Sequence, residues 1–292
     1  MIKSLGINNN FVKWLENFLK DRSQSVTIDG AFSLFLFILS GVPQGSVLGP
    51  LLFLIFINSL IKTCNALHPK CRVGVFADDA KYFTTDQDVL QNTLNTVSEW
   101  VKTWQLEIAP TKSICITFSK RNPSPTFSID GVTIENCNTS VRDLGVFLSP
   151  DLKWGNHINT AMSKASNRCH LIINTFQTND ISVLLKAYVT YVRPLLEYNS
   201  CVWSPHFIQD IKACESIQKK FTKDAFHKCR IPSHNYEHRL DKLNLKTLEY
   251  RRLEHDLIMT YKVINNLMNM NFQDYIEFSA STERFNADII CV

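Results

Sequence analysis

The stretch VGVFADDAKYF, residues 73–83, sets two carboxylates side by side in an otherwise apolar run. Short strands are expected at 72–76 and 81–84, with residues 77–80 between them. Adjacent residues of a strand point to opposite faces, so a strand would send only one of the two carboxylates to a given site. At the tip of a hairpin both can lie close together. Close carboxylates repel unless a cation sits between them, which suits a hard metal such as Mg²⁺. Aspartate is also a favoured residue of a solvated turn. Local sequence alone leaves these two readings level.

The flanking pattern is mixed. A short amphipathic helix is expected over 11–19, with Phe11, Trp14, Leu15 and Phe18 on one face. Segments 25–28 and 32–39 read as strands joined at Asp29-Gly30, a favoured hairpin turn. GVPQGSVLGP, residues 41–50, is a glycine- and proline-rich loop opening into a buried apolar helix over 47–61. That run is about 15 residues long and interrupted, where a spanning helix needs ~20. After residue 84 a helix is expected with Thr85 as its cap and Asp88 three residues on. Its buried face runs through Val89, Leu90, Thr93, Leu94, Val97, Trp100, Val101 and Trp104. Strands return at 114–118, around Asp130-Gly131 and at 143–148. From 155 to 269 the pattern is helical, with breaks at Pro194, Pro205 and Pro232. A boundary near residue 150 therefore divides an α/β part, 1–150, from an all-helical part, 151–292.

With 292 residues, 45% of them hydrophobic, the chain can build a sizeable core. A net charge of +4 is too mild to name a nucleic-acid partner by itself. Nine scattered cysteines without a CxxC pair suit a reducing compartment. The N-terminus lacks the apolar core of a secretory signal, and the expected location is intracellular, nuclear or cytoplasmic, with no membrane partner. A zinc site from Cys214 or Cys229 with His227, His234 and His238 fits no standard spacing; plain surface histidines are the simpler reading.

Taken in order, GVPQGSVLGPLLFLIFIN, VGVFADDAKYF, LEIAPTKSICITF and RDLGVFLSPDLKWGNHI resemble the reverse transcriptases of non-LTR retrotransposons, closest to the jockey-like and chicken-repeat-like groups. The likeness extends through AYVTYVRPLLEYNSCVWSP, ESIQKKFTK and YEHRLDKLNLKTLEYRR, and so covers nearly the whole chain. It implies an α+β fold: a partial polymerase palm with three or four strands of a small antiparallel sheet, then a helical thumb. An N-terminal helix would have to cover the edge of so short a sheet.

The resemblance also implies roles. Phe76-Ala77-Asp78-Asp79 matches the family's Tyr-Ala-Asp-Asp hairpin, making Asp78 a ligand of a two-metal Mg²⁺ site and Asp79 a supporting carboxylate. Phe76 loses the tyrosine hydroxyl and keeps a packing ring. Gly41, Pro43, Gln44 and Gly45 belong to the loop that contacts the nascent base pair, where an ordinary strand-to-helix turn would explain only the glycines. Lys112 stands near the incoming triphosphate or is a plain surface lysine. Leu144-Gly145-Val146-Phe147 corresponds to the hairpin supporting the primer end. Lys212, Lys219, Lys220, Lys223, Lys228 and Arg230 would contact duplex phosphates, and Arg251 and Arg252 would extend that patch or lie on an exposed helix face. The implied partners are an RNA template, a DNA primer and deoxynucleoside triphosphates.

Two departures stand out. Asn58-Ser59-Leu60 replaces the family's Asn-Asp-Leu. The Asp-x-x-x-Ala-Phe-Asp segment, which carries a further metal-binding aspartate, is absent, so the chain alone is expected to be inactive. The competing expectation is a non-catalytic nucleic-acid-binding relic.

Overall fold

The structure, a computed structural model, describes residues 5–118, 125–268 and 270. The last 22 positions of the expected helical part and Cys291 lie outside the described residues. The chain divides into two compact units, Met1–Cys115 with Arg121–Asn136, and Ile116–Lys120 with Cys137–Val292. The 141–148 segment thus falls in the helical unit, ahead of the texture change expected near residue 150.

In the first unit, helix α1 (Asn9–Leu19) is capped by the Asn8 side chain. Its buried residues are Val12 and Leu15, of which Leu15 belongs to the expected face and Val12 does not. Phe11, Trp14 and Phe18 instead stack on one another with centroids 5.5 and 5.8 Å apart, and Phe11 and Trp14 are exposed. Strands β1 (Ser23–Gln24), β2 (Thr27–Ile28), β3 (Ala31–Phe32) and β4 (Leu36–Phe37) form two nested antiparallel ladders, β1 with β4 and β2 with β3. Positive φ at Asp29 and Gly30 makes the β2–β3 turn the tight type expected. All eight strand residues are exposed, so neither α1 nor any other described element covers them.

Helix α2 (Gly49–Leu67) is long and apolar enough to cross a membrane by length and composition, because it continues past the residue where the sequence run was broken off. It is amphipathic rather than wholly buried: Leu52, Ile57, Leu60 and Cys64 are buried, whereas Leu51 and Leu54 are exposed. Strands β5 (Arg72–Phe76) and β6 (Asp79–Phe83) pair antiparallel. Helix α3 (Gln87–Thr103) takes Asp86 as its cap, one residue beyond the expected Thr85. The Asp86 carboxylate accepts from the amides of Asp88 and Val89 at 3.1 and 3.2 Å. Val97, Trp100 and Val101 of α3 meet Ile57, Leu60 and Cys64 of α2, with Val73, Val75 and Tyr82 packed against the cluster. The Trp100 indole donates to Ser59 Oγ at 3.1 Å, which gives the departure at Ser59 a packing role.

A 3₁₀ turn (Pro110–Lys112) leads into β7 (Ile114–Cys115), which pairs parallel with β10 (Glu135–Asn136); between them β8 (Ser128–Ile129) and β9 (Val132–Thr133) form a hairpin turning at Asp130-Gly131. Asp130 is held by Lys102 Nζ at 2.6 Å and by Ser98 Oγ, which pulls its carboxyl below the ordinary range. Among its described residues the first unit therefore carries separate two-stranded ladders, not one sheet of three or four strands.

The second unit begins with a hairpin of β11 (Val141–Asp143) and β12 (Val146–Leu148). Helices follow: α4 (Gly155–Thr175), α5 (Ile181–Tyr191), α6 (Arg193–Glu197), α7 (Ser200–Trp203), α8 (Ile208–Lys228), α9 (Tyr236–Leu243) and α10 (Leu248–Ile264). The breaks fall at the expected prolines: Pro194 sits in the first turn of α6, and Pro205 and Pro232 follow the ends of α7 and α8. The core gathers Ala165, Ile172, Leu184, Tyr188, Val192, Leu196, Phe221 and Leu248. Within it Tyr188 donates to Gln218 Oε1 at 3.0 Å, and Gln218 Nε2 donates to Tyr236 Oη and the Lys246 carbonyl at 2.9 and 3.0 Å. A satisfied buried network of this kind fixes one arrangement of α5, α8 and α9. The architecture is α+β.

Candidate active site and basic helix face

In the β5–β6 hairpin Phe76 pairs with Asp79, leaving Ala77 and Asp78 as a two-residue turn. Strand β6 thus begins two residues before its expected start. Val73, Val75 and Tyr82 root the stem on the α2–α3 core, while Asp78 and Asp79 are both exposed. Neither charge is buried, which resolves the apparent cost of placing them in an apolar run. Ala77 has φ 52, a conformation that disfavours any side chain. Phe76, expected to contribute a packing ring, is 62% exposed. Beneath the tip, burial pushes the Cys64 thiol up to about 11 and the Tyr82 phenol well above its ordinary range.

Gly41 and Gly45 have φ 84 and 78, which only glycine adopts cheaply. Ser46 donates to the Pro43 carbonyl at 2.8 Å and accepts from the Gly49 amide at 3.0 Å, bracing the loop against the start of α2. A Cβ at Gly49 would stand 2.9 Å from the Pro43 oxygen, so the third glycine of GVPQGSVLG is required by close backbone approach. Gly49 carries no expected role in the sequence, although the run of glycines in GVPQGSVLG points to it. Gln44 is exposed at the loop surface.

Lys112 ends the 3₁₀ turn with its side chain exposed. Among the described residues no hydrogen bond or ion pair links it to Asp78 or Asp79. Two adjacent carboxylates suit a hard cation. Among the described residues, however, no group of three or more His, Cys, Asp or Glu side chains is assembled to hold a metal ion, at this hairpin or around Cys214, Cys229 and their neighbouring histidines. The donor set fits one edge of a metal site and does not complete a two-metal centre.

Lys212, Lys219, Lys220 and Lys223 of α8 are exposed. Residues 212, 219 and 223 are spaced by seven and four, which puts them on one face. Lys228 is used otherwise: its ammonium donates to the carbonyls of Ile173 and Phe176 at the end of α4. Cys169 and Phe221 line one shallow cleft, and Met162 packs near Cys214, so α4 and α8 run side by side in the same direction. Their negative C-terminal poles then lie together, and Lys228 offsets them. Arg230, at φ 55, closes α8: its amide donates to the His227 carbonyl and that of Ile231 to Phe226. Arg251 pairs with Glu197 in two contacts, one of 3.0 Å, while Arg252 is 2% exposed. Neither lies on a free basic surface.

The profile of the reverse transcriptase (RNA-dependent DNA polymerase) family matches residues 2–148, just over half of the chain. A Drosophila melanogaster protein named Probable RNA-directed DNA polymerase from transposon X-element is 27% identical over 220 residues, covering 72% of this chain and 24% of the relative. A second from the same organism, Probable RNA-directed DNA polymerase from transposon BS, is 29% identical over 206 residues, 65% of this chain and 22% of its own. The RNA-directed DNA polymerase from mobile element jockey of Drosophila funebris is 32% identical over 155 residues, 49% of this chain and 17% of its own. The chain thus spans about a quarter or less of the length of these relatives. No solved structure matches it.

Proposed function

Because the chain belongs to the reverse transcriptase family, we propose that it acts within an RNA-directed DNA polymerase of the non-LTR retroelement kind, its first unit a partial palm and its second a thumb. The observation that carries the reading is the exposed Asp78-Asp79 pair at the tip of a hairpin whose stem is rooted in the core. Rigid roots and free carboxylates are what a cation-binding edge requires. Asp78, with Asp79 beside it, would hold a divalent ion, which in such enzymes stabilises charge on the attacking and departing oxygens. The loop from Gly41 to Ser46 would present backbone to the nascent base pair, and Lys112 would face triphosphate charge. Lys212, Lys219, Lys220 and Lys223 would follow phosphates of the template–primer duplex, giving position without sequence readout. Lys228 and Arg230 shape helix ends instead. RNA template, DNA primer and deoxynucleoside triphosphates are the proposed partners. No disulfide joins the eight cysteines among the described residues, which supports an intracellular site of action.

Among the described residues Asp78 and Asp79 meet no third ligand, which leaves the metal site incomplete, so binding and catalysis separate in the test. The 292-residue chain is expected to bind an RNA–DNA hybrid with a log–log salt slope of roughly −3, from three or four released counterions. It is expected not to extend a primer on RNA with Mg²⁺. Extension that Asp78→Asn abolishes would overturn the incompleteness. Absence of salt-dependent hybrid binding would overturn the thumb assignment.

A further inference from the structure

The β11–β12 hairpin is tied to the helices by a closed circuit of contacts. Tyr198, at the elbow between α6 and α7, donates its hydroxyl to the Leu144 carbonyl at 2.9 Å. Its ring lies against Gly145, where an added Cβ would come within 3.2 Å of Cε1. Gly145 also has φ 90, so two independent demands fall on that glycine. The Tyr198 carbonyl accepts from the Trp203 indole at 2.7 Å. Trp203 is wholly buried and meets the His157 ring edge-on, 4.9 Å between centroids. His157 Nδ1 accepts from the Phe147 amide at 3.4 Å, which returns the circuit to the hairpin. Turn and outgoing strand are therefore both fastened to one buried indole.

Tyr198 is half-exposed and stands on a strained elbow, since its neighbour Asn199 is left-handed at φ 58. A tyrosine placed only to fill a core would be buried. This one spends its hydroxyl on the carbonyl of a left-handed turn residue, Leu144 at φ 42. We infer that Tyr198 is a positioning residue: it fixes the angle of the Leu144-Gly145 turn against the α6–α7 elbow, so that the hairpin meets the primer end at a set height. The primer half of this inference rests on the polymerase reading above.

The test uses the full 292-residue chain with two readouts. Tyr198→Phe keeps the ring on Gly145 and deletes only the donor. Amide hydrogen exchange over 141–148 should quicken about fivefold, the scale of one lost hydrogen bond, with α5 and α8 unchanged. Gly145→Ala, which meets both the ring and the φ demand, should quicken it further. The second readout is 2-aminopurine at the primer 3′ terminus of an RNA–DNA hybrid. Wild type should shift its emission, and Tyr198→Phe should reduce that shift while hybrid affinity stays within twofold. Unchanged exchange at 141–148 in both variants overturns the clamp, as does equal quickening throughout the helical unit. A clamp that loosens as expected, in a chain that binds the hybrid yet never shifts the terminal probe, overturns the primer contact and spares the clamp.

Discussion

Residues 23–47 and residues 184–203 are almost equally rich in large apolar side chains, yet they use them oppositely. In the second stretch Leu184, Tyr188, Val192, Leu196 and Trp203 are wholly buried. In the first, Val26, Ile28, Phe32, Leu34, Leu36, Phe37, Leu39 and Val47 all face outward. The helical unit caps the end of α4 with Lys228 and closes a polar network around Gln218. The strand-bearing stretch has local turns and little core of its own, and so large an exposed apolar surface is an association hazard. Side chains proposed for chemistry are the exposed ones, Gln44, Asp78, Asp79 and Lys112, which hold little of the fold together. Stability and chemistry are thus carried by different residues.

That contrast can be broken most forcefully at Trp203. Trp203→Ala should cost about 4 kcal/mol in chemical denaturation, as expected for a large buried aromatic that also loses its hydrogen bond. A cost below about 1 kcal/mol would mean that the helical core is not self-sufficient. Lys228→Met should cost roughly 1–2 kcal/mol by uncapping the end of α4, with the salt slope of hybrid binding unchanged. Lys219→Ala should do the reverse, lowering that slope by about 1 and leaving stability within ~0.5 kcal/mol.

A smaller effect is expected at His157. Burial holds its pKa below the ordinary 6.5 in the folded chain, so protonation favours the unfolded state. Stability should be level above pH 6.5 and decline as pH falls through that value, and His157→Gln should flatten this part of the profile. The smallest changes belong to the hairpin tip. Ala77→Gly should raise stability by about 0.5–1 kcal/mol by relieving the positive φ. Asp78→Asn should move it by less than ~0.5 kcal/mol, and a larger loss would mean that the aspartate serves the fold after all.

Much of this was legible in residue order because its causes are local. Asp29-Gly30 and Asp130-Gly131 announce their turns by residue type, and the prolines place the helix breaks. The paired aspartates were legible as a hairpin tip, but the start of β6 was not, since nothing marks alanine as the residue that will take φ 52. Helix α1 carries two neighbouring apolar stripes, and periodicity cannot say which one the core will take. Lys228 read as one more cation of a basic helix because the carbonyls it caps lie more than 50 residues away in the chain. Tyr198 gave no signal for the same reason: its partner, Leu144, is 54 residues distant.

The ladder of β7 with β10 has a consequence in time rather than in energy. Among the described residues every other ladder is a hairpin or is nested around one, closing a short loop that forms in about 1–10 µs. Joining Ile114–Cys115 to Glu135–Asn136 in parallel instead closes a larger loop that holds the β8–β9 hairpin. Closure of that larger loop makes this the natural last of the first unit's ladders to form. A refolding experiment that follows Cys115 should therefore see a lag where one that follows Tyr82 sees none.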